Sequence, residues 1–172
     1  MIEPWWRTVS GEELAQGDLI PGCEMPFFVT QLQTGATTDV EVVQATLIIV
    51  SQTCDLFNNK AQFVACCGVH TLDEFENQDS DYARKGRWEE VRKGREPSLH
   101  LLASPVDPDN NRKALVVDFG HIVSLPIQYL RGHAATCGAR DRLVSPFLEH
   151  FSQSLARFFM RVGLPSSLPP FR

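Results

Sequence analysis

The sequence predicts a mainly β domain with α-helical additions, and three stretches carry that prediction. Residues 40–50 are rich in Val, Ile and Thr and end in the unbroken apolar run 47–50. Such a run is typical of a strand buried on both faces of a sheet. Residues 62–69 return as a partner strand after the turn residues 58–60. Residues 145–163 repeat apolar side chains at steps of three and four, which predicts an amphipathic helix.

The residues before the first of these strands are predicted to form a helical turn and one arm of a hairpin. Ser10 and Glu13 have the spacing of a capping box, so we expect a short helical turn that ends at Gly17. Residues 25–32 are predicted to be extended. Residues 33–39 have the small, polar composition of a hairpin loop.

Residues 71–97 are predicted to be an exposed helical insertion. Residues 72–81 are acidic, and residues 84–95 carry six Lys and Arg. Apolar side chains in this segment are too sparse for a well-buried helix, and Gly86 is expected to break the helix.

The remainder of the chain is predicted to alternate strands and loops before the final helix. Residues 131–140 are expected to be a loop. Ser145 is a suitable N-cap for the C-terminal helix, and Pro146 suits its first position. Three further short strands are predicted after the insertion, at residues 99–103, 114–119 and 121–125.

The composition fits a single domain spanning residues 1–172. The chain is 43% hydrophobic and 22% charged, close to the values of an ordinary globular protein. Its core is expected to comprise about residues 17–70 and 98–125. No apolar run approaches the roughly 18 to 20 residues of a membrane span, and the first residues lack the pattern of a secretory leader. We therefore expect a cytoplasmic protein with no membrane contact.

The formal charge is unevenly distributed along the chain. Residues 1–83 hold 13 Asp and Glu against 2 Lys and Arg, whereas residues 84–172 hold 14 Lys and Arg against 8 acids. One interpretation is an oriented contact with a charged partner or with a second copy of the chain. The preferred interpretation is that the two halves neutralise each other within one fold, because single domains commonly interleave their halves.

The cysteines do not predict a disulfide framework or a metal site. The chain has five, an odd number, without a C-x-x-C pair, which indicates reduced thiols. His133 and Cys137 have a feasible ligand spacing, but the adjacent Cys66 and Cys67 would point to opposite faces of a strand. We therefore predict no metal ligand and no cofactor.

The candidate catalytic residues follow the buried strand directly. Ser51, Thr53, Cys54 and Asp55 fall together where that strand ends, a place where a scaffold can hold side chains rigidly at the surface. A cysteine nucleophile would need a nearby histidine or another cation to lower its pKa. The preferred alternative is a buried, structural Cys54, because cysteine often packs as a small hydrophobe.

The basic part of the insertion has the residue types of a nucleic-acid contact, cations for phosphates and an aromatic ring for stacking. The preferred alternative is that these cations pair with Glu89, Glu90 and the acidic residues just upstream, because the sequence pI is about 5.5. The candidate residues for nucleic-acid binding are Arg84, Lys85, Arg87, Trp88, Arg92 and Lys93.

Several common enzyme classes lose support because their motifs are missing. The sequence has no Walker loop, no G-x-G-x-x-G, no H-E-x-x-H and no G-x-S-x-G. Nucleotide hydrolysis, dinucleotide chemistry, zincin proteolysis and serine esterase chemistry by those routes are therefore not predicted.

The sequence also resembles two groups of known proteins. Residues 47–56 (Leu-Ile-Ile-Val-Ser-Gln-Thr-Cys-Asp-Leu), together with residues 145–165, are similar to a group of small uncharacterised bacterial proteins. Residues 40–69 resemble the strand–turn–strand unit of the MazF/PemK-type toxins, which are SH3-like barrels that cleave RNA. Residues 17–21 then resemble the toxins' opening strand. The resemblance implies a small SH3-like barrel, although Gln44-Ala45-Thr46 stands where the toxins have an Arg-Pro.

We predict a non-catalytic binding or regulatory component of a bacterial multi-gene system, such as a defence or toxin–antitoxin module. The genetic context follows only from the resemblance. The alternative is an enzyme, either a MazF-like endoribonuclease toxin or a hydrolase that depends on Cys54. A protein partner is expected, a homo-oligomer is left open, and nucleic acid is not favoured.

Overall fold

The computed structural model describes residues 4–28, 40–58 and 60–160, and the predicted hairpin loop at residues 33–39 lies outside these ranges. The strands are β1 (Trp6–Val9), β2 (Leu19–Phe28), β3 (Val40–Ile49), β4 (Phe63–Thr71), β5 (Leu99–Leu102), β6 (Leu115–Pro126) and β7 (Arg140–Leu143). The α-helices are α1 (Thr53–Phe57), α2 (Leu72–Gln78), α3 (Arg87–Arg92), α4 (Ile127–Cys137) and α5 (Phe147–Phe159). Two short 3₁₀ helices are Ser80–Ala83 and Asn111–Lys113.

Five of the strands form an antiparallel sheet in the order β2-β3-β4-β6-β5, and β1 pairs with β7 in a separate two-stranded sheet. The predicted mainly β class is confirmed. The five-stranded sheet is not closed into a barrel, because β2 and β5 remain its edges among the described residues. The expectation of a closed barrel is therefore wrong for this sheet, whose two faces are covered by other elements.

The run at residues 47–50 is buried on both sides of the sheet, as predicted. Leu47 and Ile49 belong to a core that includes Leu130 of α4, whereas Ile48 and Val50 belong to a core that includes Phe151 of α5. Side chains of a strand alternate between its two faces, so one apolar run supplies both cores.

The helix α4 occupies most of the segment that was expected to be a loop. Residues 131–137 continue a helix that starts at Ile127, so the loop prediction is wrong for them. Ile127, Leu130 and Ala134 are buried at steps of three and four residues. The helical period begins before residue 131, which is why the segment from 131 onward shows no period of its own.

The predicted helical turn at Ser10–Glu13 is absent, and backbone carbonyls there bind a distant arginine instead. The carbonyl oxygens of Gly11 and Glu13 accept hydrogen bonds from the Arg140 guanidinium. These carbonyls are thereby bonded to an arginine more than 120 residues away in the chain. A capping-box pattern reflects only the preferences of neighbouring residues, and here the contact with Arg140 stabilises a non-helical backbone instead.

The segment 71–97 is helical and interrupted near Gly86, which has a φ of 90° immediately before α3. It is not wholly exposed, however. Leu72, Tyr82 and Val91 are buried against Leu99 and Val116 of the sheet. The aromatic rings of the segment extend this small core, which explains how so few apolar residues can anchor it.

The C-terminal amphipathic helix is confirmed over Phe147–Phe159, and residues 161–163 lie outside the described ranges. Its N-cap is Pro146 and not Ser145. The strands predicted at residues 114–119 and 121–125 are one strand, β6, in which a bulge leaves residues 119–121 out of register with β4.

Acids of the first half pair with bases of the second half within the fold. Asp18 contacts both Arg140 and Arg142, and Arg112 contacts Asp73 and Glu76. The preferred interpretation of the charge distribution is therefore confirmed for these residues. No helix in the described part of the chain is both long and apolar enough to cross a membrane.

Candidate functional site

The residues Ser51 and Thr53 are held in structural hydrogen bonds at the end of β3. The Ser51 hydroxyl oxygen accepts a hydrogen bond from the Ala65 backbone N–H at 2.9 Å. The Thr53 hydroxyl oxygen accepts one from the Gln16 backbone N–H at 3.1 Å. Both hydroxyls therefore join the turn to neighbouring backbone.

The Cys54 side chain is exposed at the start of α1, so the expectation of a buried cysteine is wrong. Among the described residues, its sulfur makes hydrogen-bond contacts with Gln52 Oε1 at 3.7 Å and Asp55 Oδ1 at 3.9 Å. Both partners are oxygen acceptors, and neither is a histidine or a cation. A nucleophilic cysteine instead needs a base or a cation beside it.

The other cysteines are less accessible. Burial raises the pKa of the Cys23 thiol to about 12, assisted by the neighbouring Cys137. Burial also raises the pKa of Cys67 to about 12, assisted by Asp118, and raises the pKa of Cys66. These three thiols remain protonated at neutral pH.

We expect iodoacetamide at pH 8 to label Cys54 first, because Cys54 is exposed and the three buried thiols are protonated. Peptide mapping after short labelling times measures the rate for each cysteine. Labelling of Cys54 is expected to slow when the pH is lowered from 8 to 6, because the thiolate is the reacting form. Rapid labelling that persists at pH 6 would instead identify an activated nucleophile.

Most cations of the predicted nucleic-acid surface are engaged in ion pairs. Arg92 contacts Glu89 through two hydrogen bonds of 2.7 Å, and Lys93 lies 3.4 Å from the same glutamate. The Trp88 indole N–H donates to Glu76 at 2.7 Å. Lys85 is exposed. The remaining pairs are Arg84–Asp81 and Arg87–Glu96. Pairing of these cations with acidic residues is the alternative that the sequence favoured.

The side chains of His70 and His121 both lie close to Gly68, a proximity that the sequence did not predict. A Cβ at Gly68 would lie 3.3 Å from His121 Nδ1 and 3.5 Å from His70 Nε2. Burial lowers the pKa of His70, while Glu74 and Asp118 act in the opposite direction. The glycine leaves room for both rings, and the long bulge in β6 places His121 beside it.

None of the described residues form a group of three or more His, Cys, Asp or Glu that could hold a metal ion. The pair that had a feasible ligand spacing is used otherwise. His133 Nε2 and Cys137 Sγ lie 2.8 Å and 3.8 Å from the same Pro21 carbonyl oxygen.

The feature with the clearest capacity to bind is one edge of β3. Strand β4 pairs with β3 only from Thr46 to Ile49, whereas β2 pairs with β3 out to Val40. A capping box at Thr71, with Glu74 as its other member, ends β4 and starts α2. Between Val40 and Ala45, therefore, the second edge of β3 has no partner strand among the described residues.

The direction of the backbone groups on this free edge follows from the hydrogen bonds farther along. The Val50 N–H donates to Ala65 on the β4 side, and the Ile49 N–H donates to Asp18 on the β2 side. Backbone groups alternate along a strand, so even-numbered residues face the β4 side. Val42 and Gln44 consequently present their N–H and C=O groups outward. Pro26, which has no N–H, stands opposite Val42, as this alternation requires.

Two exposed apolar side chains lie on this free edge. Val42 is 64% exposed and Val43 is 36% exposed, although they point to opposite faces of the strand. Glu41 and Gln44 are exposed as well. We refer to residues 40–45 as the free β3 edge.

A groove of about 410 Å³ adjoins the free β3 edge. Hydrogen bonds from the Thr71 backbone N–H and hydroxyl reach Glu74 at 2.7 and 2.9 Å and lower the pKa of Glu74, so this carboxylate stays ionised. The lining residues are Gly22, Gln44, Ala45, Thr46, Val69, His70, Glu74 and Gln78.

The charged side chains on β2 and β3 beside the free β3 edge are negative. No Lys or Arg occurs between Arg7 and Lys60 in the sequence. Glu24 lies opposite Gln44 on β2, and Glu41 lies on β3 itself. The groove and the free β3 edge share Gln44 and Ala45, so the two adjoin.

Neither a protein-family model nor a curated protein sequence matches this chain.

Proposed function

We propose that this chain is a non-catalytic binding component that captures an extended, basic segment of a partner protein on the free β3 edge. The observation that carries the proposal is the unpaired edge of β3 between Val40 and Ala45. An added strand would gain main-chain hydrogen bonds from Val42 and Gln44, as in other cases of β-strand addition.

The chemistry of the partner follows from the surroundings of that edge. Unpaired, partly apolar edges favour pairing with another strand, and neither β2 nor β3 carries a Lys or Arg. A partner strand with alternating apolar and basic side chains would cover Val42 and place a cation near Glu74 in the adjoining groove. Such a strand would be about six residues long, or about 20 Å.

The wider setting of the proposal rests on resemblance. The similarity of residues 47–56 and 145–165 to small bacterial proteins is the basis for proposing a bacterial multi-gene system, such as a defence or toxin–antitoxin module. The alternative is an enzyme, either a MazF-like endoribonuclease or a hydrolase that depends on Cys54. The endoribonuclease is less favoured because Gln44-Ala45-Thr46 replaces the toxins' Arg-Pro. The hydrolase is less favoured because the Cys54 thiol, among the described residues, contacts only hydrogen-bond acceptors.

The test uses an acetylated peptide of alternating Lys and Val, about six residues long, and a control peptide with Glu in place of Lys. We expect the basic peptide to bind and to shift the backbone amide signals of Val42 and Gln44 in NMR spectra. Val42→Pro removes one outward N–H without removing a hydrogen bond to β2, and should weaken binding at least tenfold. Val42→Thr keeps that N–H and should retain most of the affinity.

Equal binding of the basic and acidic peptides, or equal binding by Val42→Pro and Val42→Thr, would contradict the proposal. So would shifts confined to residues remote from β3. Cleavage of single-stranded RNA that is lost in Cys54→Ser would support the enzyme instead. Thermal unfolding of each variant checks that the fold is retained.

A further inference from the structure

A second groove, of about 350 Å³, lies between the insertion and α5 on a different part of the molecule. Its apolar lining includes Trp5, Leu99 and Leu101. Its polar lining is dominated by groups that carry or can acquire positive charge. These polar residues are Arg92, Lys93, His100, His150, Ser154 and Arg157, with one carboxylate, Glu96.

The positive charge of this groove is only partly neutralised. Glu96 accepts hydrogen bonds from Tyr82 and from Arg87, which lies outside the groove. Arg92 and Lys93 share a single carboxylate, that of Glu89. Arg157 is exposed and forms no ion pair with any residue in the described ranges. Three permanent cations therefore face a groove in which the carboxylates are already occupied.

The two histidines in the lining add further hydrogen-bonding groups to the groove. Burial, assisted by the neighbouring His150, lowers the pKa of His100 to about 4, so its ring is neutral at pH 7. A neutral imidazole still offers one N–H donor. The His100 ring makes no hydrogen bond with another residue of the described part of the chain, although its backbone belongs to β5. Its ring stacks on Phe119, with centroids 6.0 Å apart, which fixes its position.

We propose that this groove binds a small phosphorylated molecule through its phosphate group. Guanidinium and ammonium groups are the usual ligands of phosphate in proteins, and arginine can bind it with two parallel hydrogen bonds. The volume lies at the lower end of small-molecule sites, which fits a phosphate with a small substituent. A nucleic-acid strand would need cations along a longer path, whereas Arg84 and Arg95 are paired with Asp81 and Glu90 away from the groove.

This phosphate site is independent of the free β3 edge and uses residues from α3, β5 and α5. Arg92 and Lys93, which the sequence offered as nucleic-acid ligands, here bind the phosphate of a small molecule. The site also gives a role to Arg157, which lines the groove from α5 and forms no ion pair within the described ranges.

The test is a titration of the full chain with inorganic phosphate, at constant ionic strength maintained with chloride, followed by the NMR signals of the His100 and His150 rings. We expect saturable shifts of these signals. Arg157→Gln should weaken phosphate binding about tenfold, the loss expected for one charge-assisted hydrogen bond. Lys85→Gln removes a charge from an exposed site of the same insertion outside the groove, and should leave the affinity unchanged.

Three results would overturn the proposal. The first is shifts that chloride produces as well as phosphate. The second is an equal loss of affinity in Arg157→Gln and Lys85→Gln, which would indicate a diffuse charge effect. The third is tighter binding of single-stranded RNA than of phosphate with dependence on Arg84 and Lys85, which would make the surface a nucleic-acid site. Because Arg157 is exposed, its replacement should not affect folding, and Arg157→Lys should restore part of the affinity.

Discussion

Replacement of Phe151 by alanine is expected to lower the free energy of unfolding by about 3 to 5 kcal/mol, the range found for buried phenylalanines. Phe151 is fully buried, and its ring centroid lies 5.8 Å from those of both Phe119 and His100. Removing the ring would leave a cavity between α5 and the sheet. Urea denaturation followed by circular dichroism measures the change.

The matched control is on the same helix. Phe159 is 56% exposed, and Phe159→Ala should change the free energy of unfolding by less than about 1 kcal/mol. The contrast between the two variants would show that α5 is part of the fold. If both variants were equally stable, the helix would be a detachable element, and truncation before it would leave a cooperatively folding protein.

Replacement of Asp18 by asparagine is expected to cost about 3 to 5 kcal/mol, because it leaves a buried arginine without its counter-ion. The side chains of Asp18 and Arg140 are both completely buried, and Arg142 contacts the same carboxylate. Asp18 also accepts a hydrogen bond from the Ala15 N–H at 3.1 Å. The carboxylate therefore joins the N-terminal segment to β7, and its loss affects several contacts at once.

An exposed ion pair provides the comparison. Arg112 contacts Asp73 and Glu76 at the surface, and Arg112→Gln should cost less than about 1 kcal/mol because solvent screens such pairs. Replacing Asp18 with leucine and both Arg140 and Arg142 with methionine should recover much of the loss, because no charge of this cluster is then left buried without a partner. An Asp18→Asn protein as stable as Arg112→Gln would contradict this account of the cluster.

The two proposed binding surfaces have different origins in the fold. The free β3 edge exists because β4 gives way to α2 at the capping box of Thr71 and leaves the first half of β3 unpaired on that side, which is a local event at one strand terminus. The groove proposed to bind phosphate is lined by the segment 71–97, β5 and α5, which lie more than 60 positions apart in the chain at their extremes. Variants at Val42 and at Arg157 can therefore be examined independently, since the two residues lie in different structural elements.

Local patterns were sufficient for the elements that a short stretch of chain determines by itself. The strand at residues 40–50 and the helix at Phe147–Phe159 each carry a hydrophobic period strong enough to specify both type and orientation. The break near Gly86 was also predictable from the sequence, because glycine weakens a helix. In the structure Gly86 has a φ of 90°, a conformation that favours glycine. The mainly β class followed from these stretches together.

Only the tertiary structure revealed the features that depend on distant residues. The pairing of β1 with β7 joins segments more than 130 residues apart, and Asp18 meets Arg140 across 122 residues. The exposure of Cys54, the meeting of His70 with His121, and the excess of positive charge beside Arg157 likewise depend on how the elements pack. A sequence pattern records the preferences of neighbouring residues. Contacts across a sheet or between helices are selected by burial and by the pairing of charges, which local preferences do not encode.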